Sequence, residues 1–293
     1  MVFPFHGRVG IGLIIIFWPL NWLVPNWLTN SDSPFLISHF GWVGFFPLWL
    51  GYCLTVSALT CLRKGNSILT RNFFAYCLLF VISSPSWWLF ELINWRTQNW
   101  FYEGRSSVTN FQYAIFASIS FSTVIPAVFG TAEWVSTFEW TQRPLKGIRF
   151  TIRPRNTILM FILGWSMLGL LIYRPRYFFP FVWMSVHFIL DPINTWLGHD
   201  SLLSHTNRGD WRPVFSLAVG CLICGFFWEM WNFYSYPKWI YRVPFVGFLK
   251  IFEMPLLGYG GYIPFSFEIY AVYHLITGIF NMRSVTDPFK PVL

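Results

Sequence analysis

The stretch Phe227-Trp228-Glu229-Met230-Trp231-Asn232, followed by Trp239 and Tyr241, closes a long apolar run, and it has an earlier copy: Trp88-Leu89-Phe90-Glu91-Leu92-Ile93-Asn94, followed by Trp100 and Tyr102. In each copy a carboxylate and a carboxamide stand three residues apart, about one helical turn, and therefore share a helix face. Ionisable groups are costly where a hydrophobic span ends and mark a packing or ligand site there. Glu91 and Asn94 recur 138 positions later as Glu229 and Asn232, and Ile125-Pro126 and Phe129 recur at the same spacing as Ile263-Pro264 and Phe267. Upstream, Phe45-Phe46-Pro47 corresponds to Phe178-Phe179-Pro180, Trp49 to Trp183, and Ser67-Ile68-Leu69 to Ser201-Leu202-Leu203, at spacings of 133 or 134. The order is kept throughout, as in a duplication that has gained a small insertion.

Of the 293 residues, 55% are hydrophobic and only 11% charged, against about 25% charged in a soluble domain. An all-α polytopic membrane bundle is expected. Mostly apolar runs long enough to cross the hydrocarbon, roughly 17 to 25 residues each, occur near 9–24, 38–61, 73–93, 111–132, 156–173, 178–195, 213–233 and 263–281. The duplication then divides about eight helices into residues 1–155, a first four-helix repeat, and 156–293, a second with a broken last helix. An even number of spans per copy makes the copies parallel in the membrane. The first run follows Arg8, holds Pro19 and Trp22, and lacks a small-x-small cleavage site, so it is expected to stay as a membrane anchor.

The net charge of +8 is explained by topogenic loops rather than by nucleic acid, which is not an expected partner. With the amino terminus inside, thirteen of the twenty Lys and Arg share its side: Arg8, Arg63, Lys64, Arg71, Arg143, Lys146, Arg149, Arg153, Arg155, Arg208, Arg212, Arg283 and Lys290. This predicts a bacterial inner (cytoplasmic) membrane protein with both termini cytoplasmic and Glu91 and Glu229 at the outer face. Cys53, Cys61, Cys77, Cys221 and Cys224 all lie within spans, and Cys221-x-x-Cys224, among Leu, Ile, Val and Gly, reads as packing.

Glu229, Glu253 and Glu91 are the candidate catalytic carboxyls, since such a group in an apolar pocket suits general acid–base work. Asn94 and Asn232 are the amides that would orient them, and Trp88, Trp228, Trp231 and Tyr241 the rings that would line a cleft between the halves. Ring faces suit flat or polyene ligands and stabilise a carbocation. The alternative for each glutamate is a bond to a neighbouring helix or loop that fixes packing. His187, Asp191 and Asn194 form a polar stripe at i, i+4 and i+7, in which His187 and Asp191 are candidates for binding substrate, holding a metal or passing protons, with Asp191-Pro192 capping or kinking its helix as the alternative; third and fourth ligands at a recognised spacing are absent, so no metal is expected, and the cofactor is left open. Trp22, Trp27, Trp100, Tyr102, Trp239 and Tyr241 are expected in the interfacial belts. Residues 248–280 combine apolar character with Glu253, Pro255, Gly258, Gly260, Gly261, Pro264 and Glu268, which predicts a broken helix with a re-entrant segment around Glu253-Met254-Pro255.

The segment from Phe45 to Tyr52, Trp87 to Tyr102, and Phe227 to Tyr270 with its Glu253-Met254-Pro255-Leu256-Leu257-Gly258-Tyr259 resemble a family of uncharacterised bacterial polytopic membrane proteins, which implies no activity. An acidic residue in a span, a Trp-x-Tyr and then a proline beside a glutamate are also similar to the lycopene-cyclase-type domain of carotenoid biosynthesis. That resemblance implies duplicated helices and carboxylates that protonate a polyene without net redox change, with Glu229 matching the acid ahead of the Trp-x-Tyr and Glu253 the glutamate by the proline. That family has Pro-x-Glu-Glu, whereas here Glu253 stands alone before Pro255. The expected function is an integral membrane enzyme of cyclase or hydratase type acting on an isoprenoid, carotenoid or other apolar lipid. The alternatives are a non-catalytic subunit, with membrane protein partners, holding a pigment, quinone or lipid, and a small transporter.

Overall fold

A computed structural model describes residues 2–27, 40–142, 147–282 and 284–285. The described residues are mostly helical, with two short two-stranded sheets, and among them six helices are long and apolar enough to cross a membrane: Phe5–Val24, Gly41–Lys64, Phe73–Thr97, Asn110–Ser136, Pro154–Tyr173 and Arg212–Phe233. It is an integral membrane protein.

Helices α1 (Phe5–Trp27) and α2 (Phe40–Lys64) pack through glycines. A Cβ on Gly10 would stand 2.6 Å from the Gly51 carbonyl oxygen, and one on Gly51 would stand 2.8 Å from that of Gly10. Such small-residue contacts let helix backbones approach where no water drives them together. After the one-turn helix Ile68–Arg71, the Asn72 side chain accepts the Ala75 N–H and starts α3 (Phe73–Thr97), which ends at Gln98 in the left-handed region (φ 55°). Strand β1 (Trp100–Glu103) follows.

A Thr109/Gln112 capping box opens α4 (Asn110–Phe121), which passes to α5 (Val124–Ser136) through a break at Ser122 and Thr123. Pro126 cannot donate to the preceding turn, and Ser83 of α3 enters the gap. Its hydroxyl donates to Phe121 O (2.5 Å) and accepts from the Ile125 N–H (3.0 Å).

The second half begins with α6 (Pro154–Tyr173). The span expected near 178–195 is interrupted: a turn at Pro175–Phe178 and a 3-10 segment at Phe179–Trp183 precede α7 (Ser185–Trp196). Pro175 and Pro180 remove donors there, and Glu268 Oε1 accepts the Val186 N–H (3.1 Å) at the restart. The turn Leu202–Asn207, α8 (Arg212–Phe233) and β2 (Lys238–Tyr241) follow. Strands β3 (Lys250–Ile251) and β4 (Met254–Pro255) then form a hairpin, a 3-10 turn spans Leu256–Gly261, and α9 (Tyr262–Ile279) ends the described helices. The segment around Glu253 is this hairpin: two short strands turning at Phe252 and Glu253 satisfy the backbone that Pro255 and the glycines cannot hold in a helix. α9 is 18 residues long and buries Glu268 and His274.

The core lies where α2, α5, α8 and α9 meet, around Trp49, Trp231, Phe129, Phe265 and Tyr270, each at most 1% exposed. A Cβ on Gly220 of α8 would stand 2.7 Å from the Ala132 nitrogen of α5, so these helices touch backbone to backbone. The bundle has two distinct ends. At one, Lys64 Nζ and Arg71 Nη1 pair with the buried Glu133 carboxylate (2.7 and 2.6 Å), and Arg63 Nε donates to Thr137 Oγ1 (2.7 Å). At the other lie β1 and β2. Arg143, Lys146, Arg283 and Lys290, part of the basic set on which the orientation was read, lie outside the described residues, as does the Trp27 side chain.

Candidate functional site

Each Glu-x-x-Asn pair holds the Trp-x-Tyr that follows it. Asn94 Nδ2 donates to Trp100 O (2.9 Å), and its Oδ1 accepts the N–H groups of Asn99 (2.8 Å) and Trp100 (3.3 Å). Asn232 repeats this on Trp239, donating to its carbonyl (2.7 Å) and accepting from its N–H (2.9 Å). Glu91 Oε1 accepts Trp87 Nε1 (3.0 Å), Trp100 Nε1 (2.9 Å) and the Tyr102 hydroxyl (2.6 Å). Glu229 Oε1 accepts Trp239 Nε1 (3.4 Å), the Tyr241 hydroxyl (2.8 Å) and the Tyr262 hydroxyl (2.7 Å).

The two held segments pair with each other. β1 and β2 are antiparallel, with Trp100 opposite Tyr241, Phe101 opposite Ile240, Tyr102 opposite Trp239 and Glu103 opposite Lys238. Trp100, Tyr102, Trp239 and Tyr241 are ribbon residues at one end of the bundle, and they donate their polar hydrogens to the two glutamates. Burial, and then the adjacent Glu91 carboxylate, pushes the Tyr102 phenol well above its ordinary range; burial and Glu229 do the same for Tyr241. Both stay protonated and remain donors.

Below the ribbon a cavity of about 120 Å³ lies between the halves. Trp87, Trp100 and Phe121 wall one side and Trp183, Trp228 and Phe265 the other, with Tyr102, Tyr241, Tyr262 and Lys238 as polar wall groups. Glu229 sits behind Tyr241 and Tyr262, 0% exposed, and its Oε2 has no hydrogen-bond partner.

The candidate residues separate into groups. Trp228 and Tyr241 line the cavity, with Glu229 bonded behind Tyr241 and Asn232 behind Trp239. Glu253, on the β3–β4 turn, is ion-paired at 2.5 Å to Lys238 of the cavity wall. Glu91 and Asn94 occupy the matching place in the first half and, with Trp88, line a separate outer depression. Trp231 is a core residue whose carbonyl accepts Asn21 Nδ2 and Trp22 Nε1, both at 3.1 Å. His187 and Asp191 line neither cavity: Asp191 accepts the Leu202 and Leu203 N–H groups, both at 2.9 Å, and so caps the turn Leu202–Asn207. Among the described residues no group of three His, Cys, Asp or Glu could hold a metal ion. Cys221 and Cys224 are free and fully buried.

Tyr262 and Lys238 escaped sequence reasoning. Tyr262 stands 138 positions after Val124, so comparing the halves hides it, and Lys238 reads as a loop cation until β1 places it opposite Glu103. Compared with known proteins, the chain matches no family model, no curated protein and no solved structure.

Proposed function

We propose that this is a membrane-embedded acid–base enzyme acting on an apolar lipid of isoprenoid type, which binds in the cavity between two parallel four-helix repeats. One observation carries the reading: a fully buried carboxylate, Glu229, is wired to the ring-lined cavity by two phenols, Tyr241 and Tyr262, while its second oxygen is unpartnered. A proton from a cationic ligand passes to a phenol oxygen as that phenol passes its own proton to Glu229. Run in reverse, the same relay protonates a ligand double bond. The Trp and Phe faces stabilise the cation between the two steps, so protonation followed by loss of a neighbouring proton shifts or closes bonds with no change in composition and no redox cofactor. The resemblance to lycopene-cyclase-type domains points to the same chemistry, and the basic residues at the Glu133 end fit cytoplasmic termini in a bacterial inner membrane.

Glu229→Gln keeps the size and an acceptor oxygen but cannot cycle a proton. Isoprenoids extracted from membranes carrying this variant should show the precursor accumulating, with turnover lowered about 10²–10⁴-fold, while the protein stays folded. Tyr262→Phe should give a smaller loss. An unchanged lipid profile in a folded Glu229→Gln protein would overturn the enzyme.

A non-catalytic subunit is the second reading, favoured by the way both Glu-x-x-Asn pairs clamp the ribbon. It predicts that Glu229→Gln lowers stability or assembly with partners and leaves lipid composition alone.

A further inference from the structure

We propose that the outer depression of the first half is a binding site for an amine-bearing membrane phospholipid, which occupies the place that the β3–β4 hairpin fills in the second half. The inference rests on the positional correspondence of the halves and not on the chemistry assigned to the central cavity.

In the second half, Phe252 at the hairpin turn packs against Phe226 and Phe233, with ring centroids 5.7 Å away in both cases. Lys238 Nζ stands 5.8 Å from the Phe233 ring centre and pairs with Glu253. An apolar wedge, a cation and an anion thus close the outer face over Glu229. Subtracting 138 turns Phe226 and Phe233 into Trp88 and Trp95. In the first half only residues 104–109 separate β1 from α4, where 242–261 separate β2 from α9, so among the described residues no hairpin covers these two rings.

The consequence is an open depression of about 780 Å³ lined by Trp88, Glu91, Trp95, Arg105 and Tyr113. Glu91 Oε1 accepts three donors, and among the described residues none reaches Oε2, which leaves one acceptor on a fixed carboxylate. Arg105 is held 4.2 Å above the Tyr113 ring and uses two guanidinium donors on Val108 O and Asn110 Oδ1 (3.0 and 2.5 Å). Three of its five N–H donors remain. The two opposite charges line one depression without forming an ion pair with each other, which suits a zwitterion with an amine at one end and a phosphate at the other. Leu92 and Trp95, 64% and 79% exposed, lie alongside on the membrane-facing surface of α3, where acyl chains would run.

Native mass spectrometry of the intact protein in detergent, titrated with phosphatidylethanolamine or phosphatidylglycerol, tests this. Phosphatidylethanolamine should be retained at least tenfold better. Glu91→Gln should abolish that preference without weakening phosphatidylglycerol, whereas Arg105→Gln should weaken both lipids. Trp95→Ala, at an exposed position that leaves the glutamate network intact, should lower retention of both. Equal retention of the two lipids by the unmodified protein, or an unchanged preference in Glu91→Gln, would overturn the site. Displacement of the lipid by soluble glycerophosphoethanolamine at equal concentration would assign the site to a free phosphoamine and overturn the lipid as its occupant.

Discussion

Asn94 and Asn232 act on the backbone as a neighbouring strand would, taking an N–H and giving one back to the same segment. Asn232 is 0% exposed, so Asn232→Ala leaves the Trp239 N–H and carbonyl short of partners in a dry site. The expected cost is about 2–6 kcal/mol, from about 1–3 kcal/mol for each of the two groups left unpaired, read as a lowered midpoint in detergent unfolding. At the opposite end Asp210 is held below the ordinary carboxylate range: burial opposes this, but bonds from the Arg212 guanidinium and N–H together outweigh it. A carboxylate whose folded value is depressed contributes stability above its unfolded pKa, about 3.9, and loses it as pH falls through the folded value. Asp210→Asn should therefore be less stable than the unmodified protein at neutral pH, and acid titration of the two unfolding midpoints should make them converge below about pH 4. The Glu-x-x-Asn pairs were legible in the sequence because one turn of helix puts both groups on one face. Tyr262 was not, because a tyrosine at a helix start carries no spacing signal and its twin position holds valine.

Three buried carboxylates serve interrupted helices. Glu133 Oε2 accepts the Ile68 N–H (2.8 Å), Asp191 accepts Leu202 and Leu203, and Glu268 accepts Val186. Each meets free N–H groups at a helix start, where negative charge is favoured. The His187, Asp191 and Asn194 stripe was legible as one helix face, and of the roles open to it Asp191 takes that of a cap on a neighbouring turn while Asn194 donates to the Ala271 carbonyl. Asp191→Asn keeps one acceptor and loses the other with its charge. It should lower stability by about 1.5–3 kcal/mol, the worth of a hydrogen bond to a charged group, and leave lipid bound in the central cavity unchanged in mass spectra of the purified protein. The uninterrupted spans were plain from apolar length alone. The break near Met184 and the hairpin at 250–255 were not, because apolar residues suit a short strand, a 3-10 turn or a helix equally, and only the packing of Glu268 and Lys238 selects among them.

Across the whole molecule, the ribbon and the contact of Gly220 with Ala132 join the two halves at different depths. Phe101 and Ile240 face each other at the centre of the ribbon. In a Cys77→Ser background, Phe101→Cys with Ile240→Cys should cross-link nearly completely on mild oxidation, since opposed strand residues bring their Cβ atoms within about 4.5–5.5 Å. Protease cleavage between the halves followed by gel electrophoresis would show them still joined; separate halves would contradict the pairing. The matched order of the two Glu-x-x-Asn and Trp-x-Tyr segments was readable in the sequence, whereas their pairing was hidden, since four-residue strands at the ends of helices leave no alternation to find. The register of that pairing has a further consequence. Opposed positions in β1 and β2 sum to a constant, and Phe101 and Ile240 are themselves equivalent under the 139-residue spacing of the two Trp-x-Tyr segments, so each strand meets the other as it would meet a copy of itself about a twofold axis. A single half carries a self-complementary edge. Two chains whose ribbons open can therefore pair β1 of one with β2 of the other in the same register, with every strand bond restored.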